Sequence, residues 1–215
     1  MCRILCVSGR KSFLIRPHLE VFSDIAQHSR EYQGHGWGCS WLSGDGWHHY
    51  HDIRPIWEDP QRDFGETTVF LAHARSAFRD EGIEVANNMP FFDDEHVFIF
   101  NGELQGVRIK EQGRIGAEKI FNYIKRFDKG DTFEALKRAL GVIQKKTRYV
   151  RALNVIMASR QRIYSSCLFG ESPEYFQLQC IQRDGLRIIC SRAYPGETNW
   201  QPIDNGDISC HEVGS

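Results

Sequence analysis

Much that would assign this chain to a membrane, a nucleic acid or a secretory route is missing from it. No apolar run in the 215 residues approaches the roughly 18 needed to span a bilayer. The N-terminus has no apolar segment followed by a small-residue cleavage site, so no secretory leader is expected. Lysine and arginine number 27 against 28 aspartates and glutamates, a net charge of -1. That balance gives no basic surplus for a nucleic acid or an anionic membrane. The seven cysteines are an odd number without CxxC spacing. This fits reduced thiols and a cytoplasmic location better than a disulfide framework. Repeats, low-complexity tracts and linker-like stretches are also lacking, so a single domain over residues 1–215 is expected.

What remains is an ordinary globular composition, 41% hydrophobic and 26% charged. The informative stretch is the start, Met1-Cys2-Arg3-Ile4-Leu5-Cys6-Val7. A cysteine directly after the initiator can become the first residue of the mature chain. Thiol and free α-amine then share one residue. The amine titrates near about 7.7–8.0, so it can act as general base toward a thiol that must lose its proton to attack. The alternative is an ordinary residue at the start of a buried strand.

Periodicity predicts a strand over 2–7 and a helix over 17–29 carrying Leu19, Phe22, Ile25 and Ala26 on one face. Gly34 to Gly38 reads as a glycine-rich turn into a strand, Gly44-Asp45-Gly46 as a hairpin, and 47–53 as its return strand. Further strands are predicted over 67–74, 96–100, 152–158, 162–165, 175–182, 186–191 and 207–213. Residues 54–66 and 78–92 read as irregular. Between the two strand-rich halves lie helices over 117–127 and from Asp131, whose Asp131-Thr132-Phe133-Glu134 has the form of a capping box. Strands bracketing a helical pair imply an α+β domain of two sheets with helices outside.

The strand closing in Phe100-Asn101-Gly102-Glu103-Leu104 resembles the oxyanion segment of class II glutamine amidotransferases, which are N-terminal nucleophile hydrolases. Three segments agree in order: Cys2-Arg3-Ile4-Leu5, His35-Gly36-Trp37-Gly38, and Leu71-Ala72-His73-Ala74-Arg75 followed by Asn88-Met89-Pro90-Phe91. Cys190-Ser191-Arg192-Ala193 and Trp200-Gln201-Pro202-Ile203 are similar to the family's closing strands. The resemblance covers nearly the whole chain and is greatest to small stand-alone members, among them γ-glutamyl hydrolases of thiol metabolism. It implies a four-layer αββα sandwich and a Cys-dependent amidohydrolase without cofactor or metal, cleaving glutamine or another γ-glutamyl amide. Cys2 would form a γ-glutamyl thioester, the Asn101 side chain and Gly102 N–H would bind the oxyanion, and Arg75 would grip the substrate α-carboxylate. Any ammonia transfer would need a separate acceptor or synthase subunit.

The chain also departs from that family. Where members carry an aspartate for the substrate α-ammonium, ahead of the helix after the oxyanion strand, this chain has Gly116, with Glu118 retained. Met89 stands where histidine is common, and Phe78 where a small hydroxyl residue is. The nucleophile machinery is intact and the amino-acid grip altered, which predicts that free glutamine is a poor substrate. The alternative is a catalytically altered amidotransferase-fold subunit or binding module that depends on a partner protein. A second alternative is metal binding by His48, His49 and His51, of which alternation puts only His49 and His51 on one face; the plainer reading is exposed hairpin histidines.

Overall fold

The computed structural model describes residues 1–214. Its strands are β1 (Arg3–Leu14), β2 (Trp37–Ser43), β3 (Gly46–Asp52), β4 (Glu66–Ala74), β5 (Phe91–Phe92), β6 (Val97–Gln105), β7 (Tyr149–Ala158), β8 (Arg162–Cys167), β9 (Gln179–Arg183), β10 (Leu186–Cys190), β11 (Gln201–Pro202) and β12 (Asp207–Glu212). The helices are α1 (Ile15–Gln27), α2 (Gly116–Phe127), α3 (Thr132–Lys145) and a single turn, α4 (Pro173–Phe176). The fold is α+β with two antiparallel sheets. One is ordered β11-β9-β10-β1-β4-β2-β3, the other β12-β8-β7-β6-β5. No helix among the described residues is long and apolar enough to cross a membrane.

Alternation sorts the first sheet into two faces. Ile4 and Cys6 of β1, Val69 and Leu71 of β4 and Ile189 of β10 enter one buried cluster. Leu5, Val7, Phe70, Ala72 and Ile188 enter another, together with Leu19, Phe22, Ile25 and Ala26 of α1. Successive strand side chains leave opposite faces, so one face packs against α1. The other joins the cluster that also holds Val97, Ile99, Val155 and Met157 of the second sheet and Ile120, Ile124, Leu136 and Leu140 of α2 and α3. Each such fully buried side chain contributes about 1.5–3 kcal/mol of transfer free energy.

Boundaries differ from expectation in two informative places. β6 does not close at Asn101-Gly102 but continues to Gln105, so the Asn-Gly pair lies inside a paired strand rather than at a turn. Its partner β7 lacks a Cβ-sized gap there, and only glycine fits. The strand expected over 175–182 begins instead as α4, because Pro173 sits at its first position; strand geometry starts at Gln179. The α3 cap is formed as expected at its acceptor half: the Asp131 carboxylate accepts from the Glu134 N–H at 3.0 Å.

Candidate active site

Strand register brings the ends of β1 and β4 together, pairing Arg3 with Ala74 and Ile4 with His73. Cys2 therefore lies beside the segment that leaves β4. Its thiol accepts from the Ser76 N–H at 3.4 Å and lies 3.6 Å from the Ser76 carbonyl. Arg3 anchors this corner. Its guanidinium is buried, lies 4.0 Å from the centre of the Tyr175 ring, and donates to the Ser191 carbonyl at 3.1 Å and the Ser29 hydroxyl at 3.0 Å.

Arg75 is the cation of the site and is 5% exposed. Among the described residues its guanidinium has no carboxylate partner; it donates to Asn88 Oδ1 at 3.5 Å. Burial lowers its pKa, opposed by the Cys2 thiol and Glu84 nearby. A buried guanidinium holding a single long hydrogen bond is suited to an incoming carboxylate, which it can grip with two parallel bonds.

The glycine-rich turn explains how Asn88 comes so close. At Gly36, with φ +103°, a Cβ would stand 2.2 Å from Asn88 Nδ2. Only glycine permits both the backbone conformation and the approach. The Gly36 carbonyl accepts from the Arg75 N–H at 2.9 Å, and the Arg75 carbonyl accepts from the His35 N–H at 3.1 Å. Trp37 closes the turn as a fully buried indole bound to Asp59 at 3.0 Å. Thus the motif positions Arg75.

The second sheet supplies the carboxamide. Asn101 is 0% exposed, and neither its Nδ2 nor its Oδ1 has a partner among the described residues. It shares a strand face with Val97 and Ile99 and pairs with Asn154, whose own amide is satisfied by the Phe176 carbonyl and the Leu168 N–H. Leaving a buried polar group unpaired costs about 1–3 kcal/mol, a cost that the fold bears at Asn101 and also at both nitrogens of His73. At the next residue a Cβ would lie 2.2 Å from the Ala152 carbonyl oxygen. His73 projects from the β4 face that carries Val69 and Leu71. Its imidazole is wholly buried, lies against the Phe100 backbone, and is pushed down to about 3 by burial and by Arg75. It is neutral at working pH.

The departures from the family pattern sit as follows. Gly116 is the first residue of α2, and nothing lies within 4 Å of where its Cβ would be. Glu118 is engaged by Arg114, whose Nε approaches it at 3.0 Å. Its carboxylate is therefore occupied at the helix start, where the dipole also favours it. Phe78 is 58% exposed and Met89 is buried in the core. The histidine hairpin serves packing and local bonds: His49 stacks on Phe92 at 3.5 Å, His51 reaches the Pro90 carbonyl at 3.0 Å, and His48 pairs with Asp45. No group of three metal-ligating side chains gathers among the described residues.

Sequence reasoning missed Glu31, Gln33, Tyr175 and Arg151, which surround Met1. The Met1 ammonium pairs with Glu31, while Gln33 and Tyr175 donate to its carbonyl at 2.6 and 2.9 Å. These groups come from the loop after α1, from α4 and from β7, and no local spacing announces them.

No protein-family model and no curated protein matches the chain by sequence. Solved structures do match by shape. A predicted glutamine amidotransferase from Pseudomonas aeruginosa superposes with a TM-score of 0.68 at 15% identity, covering 100% of this chain and 98% of that one. A glutamine aminotransferase class-II domain protein from Silicibacter pomeroyi gives 0.68 at 15% identity, covering 97% and 94%. The glutamine phosphoribosylpyrophosphate amidotransferase of B. subtilis gives 0.68 at 14% identity, covering 99% of this chain and 49% of that one. The chain thus has the fold of class II glutamine amidotransferase domains.

Proposed function

We propose that this chain, read as one domain, is a Cys-dependent amidohydrolase of the class II glutamine amidotransferase type, acting on a γ-glutamyl amide. With it we adopt the layer order α1, first sheet, second sheet, α2 with α3. The observation that carries the reading is Asn101, a wholly buried carboxamide with both polar atoms unpartnered. A binding module has no need to keep such a group unsatisfied. An oxyanion hole does, because its donors must wait for charge that develops only in the transition state.

In this mechanism Met1 is removed and Cys2 becomes the terminal residue. Its amine takes the thiol proton as Sγ attacks the γ-carbonyl carbon. The tetrahedral oxyanion accepts from Asn101 Nδ2 and the Gly102 N–H. The C–N bond then breaks, the amine returns the proton to the departing nitrogen, and a γ-glutamyl thioester remains. Water attacks the thioester by the same route in reverse, releasing the γ-carboxylate and restoring the thiol. Arg75 holds the α-carboxylate.

One observation favours the alternative of a catalytically altered subunit: Gly116 offers no carboxylate for an α-ammonium, and Glu118 is bound to Arg114. The test is direct. Active untagged protein has an intact mass one methionine short, Cys2→Ala loses hydrolysis of every γ-glutamyl amide offered, and Cys6→Ala, a buried core change, retains it. Activity in Cys2→Ala, or full retention of Met1 in active protein, overturns the mechanism. A Met1-free wild type inert toward the whole panel favours the altered subunit.

A further inference from the structure

The cradle around Met1 is more elaborate than an N-terminal residue needs. The Met1 α-ammonium pairs with Glu31, and Arg151 fixes that carboxylate at 3.2 Å. The same guanidinium holds Glu103 at 3.2 Å and Glu171 at 2.8 Å, so one cation faces three carboxylates. Gln33 Nε2 and the Tyr175 hydroxyl donate to the Met1 carbonyl. Gln33 is wholly buried, and its Oε1 has no partner among the described residues. The Met1 side chain packs against the small cluster of Ala152, Tyr175 and Phe176. Removing Met1 takes its ammonium away from Glu31 and its carbonyl away from Gln33 Nε2 and the Tyr175 hydroxyl, and leaves a recess that holds a carboxylate, these two donors and the apolar wall.

That recess adjoins the Cys2 nitrogen, since Met1 was bonded to it. Under the mechanism above, the Cys2 amine hands a proton to the leaving nitrogen, so the leaving group departs on this side. The Met1 nitrogen is three bonds from the Cys2 nitrogen. Its α-ammonium stands in for a cation on the leaving group, and its Cα and side chain stand in for short alkyl carbon.

Resting on the reading of Cys2 as nucleophile, we propose that the recess vacated by Met1 binds the leaving group, and that the preferred substrate is a γ-glutamyl amide whose leaving group carries a primary ammonium two or three carbons from the scissile nitrogen. Glu31 takes the ammonium, and the Gln33 carboxamide and the Tyr175 hydroxyl, which held the Met1 carbonyl, line its approach. A leaving group ending in a carboxylate, such as an amino acid, would bring an anion against Glu31 and Glu103 and is disfavoured. The absence of a carboxylate at Gly116 is then balanced by recognition at the other end of the substrate.

The experiment compares γ-glutamyl 2-aminoethylamide with γ-glutamyl propylamide, which has the same shape without the charge. Binding is measured by calorimetry on Met1-free Cys2→Ser protein, and turnover on Met1-free wild type. The aminoethylamide should bind at least about tenfold more tightly, and the ratio should fall toward one in Glu31→Gln and at about 1 M salt, where charges are screened. Equal affinity for the two amides overturns the proposal, as does a preference that survives in Glu31→Gln. If that variant does not fold, a preference unaffected by salt in the Glu31 protein overturns it. If neither amide is hydrolysed while the binding preference holds, the hydrolase reading fails and the cradle stands. If both are hydrolysed equally and Cys2-dependently, the cradle fails alone.

Discussion

Gly102 is held to glycine by space rather than by backbone freedom. A Cβ there would meet the Ala152 carbonyl oxygen at 2.2 Å and the Phe100 ring at 2.5 Å. The carbonyl belongs to a paired strand and cannot move away as a flexible side chain would. Gly102→Ala should therefore destabilise the fold by about 1–3 kcal/mol, as overpacking does, and displace the residue's own N–H, the proposed oxyanion donor. Gly116→Ala, with open space around it, should cost nothing measurable. Denaturant midpoints of the two variants check the contrast, and equal midpoints would contradict the packing argument. Arg75 makes a different demand. Lysine keeps the charge and loses the planar fork, so Arg75→Lys should raise KM for a γ-glutamyl amide at least about tenfold, with a smaller effect on kcat. Steady-state kinetics of the two proteins would show it.

At the level of elements, the start of α2 is where this chain and the family pattern part. Glu118 is the sole acid in its first turn. Placing a second there in Gly116→Asp should stabilise the helix by about 0.3–1 kcal/mol through its dipole. It should also raise kcat/KM for free glutamine at least about tenfold by giving the α-ammonium a carboxylate. A stabilised protein with unchanged glutamine kinetics would show that the ammonium is recognised elsewhere. Most elements were readable from sequence because their periodicity is strong: Leu19, Phe22 and Ile25 mark α1, and the apolar runs mark β4, β6 and β7. The errors arose where one local signal lost to tertiary pairing or to another local signal. Asn101-Gly102 has turn chemistry, yet it is paired along β6 with Asn154 and Leu153. Tyr175-Phe176 has strand chemistry, yet Pro173 starts a turn of helix. Cys2 and Arg75 could be singled out because each sits in a short motif. Glu31, Gln33, Tyr175 and Arg151 could not, since what relates them is convergence around one residue from three separate segments.

Across the whole molecule, three imidazoles contribute to how the fold meets acid. His18, His49 and His73 are pushed down to about 4, about 4 and about 3, in each case chiefly by burial. In the unfolded chain they titrate near about 6.5. Between those limits the unfolded state binds more protons, so stability rises with pH there. It is fully present above about pH 6.5 and is lost progressively as pH falls toward 3. The thermal midpoint should decline over that window. His18→Gln, which removes an imidazole bonded to the Tyr194 hydroxyl at 3.1 Å, should make the decline shallower. Parallel slopes in the two proteins would rule His18 out as a contributor.

The two sheets end unequally. One margin of each is a strand of only two residues: β11, which contains Pro202, on the first sheet and β5, which follows Pro90, on the second. A proline offers no N–H, and a two-residue ladder gives a foreign chain almost nothing to extend. The opposite margins, β3 with seven residues and β12 with six, remain open templates for strand addition. A proline or lysine placed in β3 or β12 should therefore reduce edge-to-edge aggregation of this protein, and light scattering of the variants would show it.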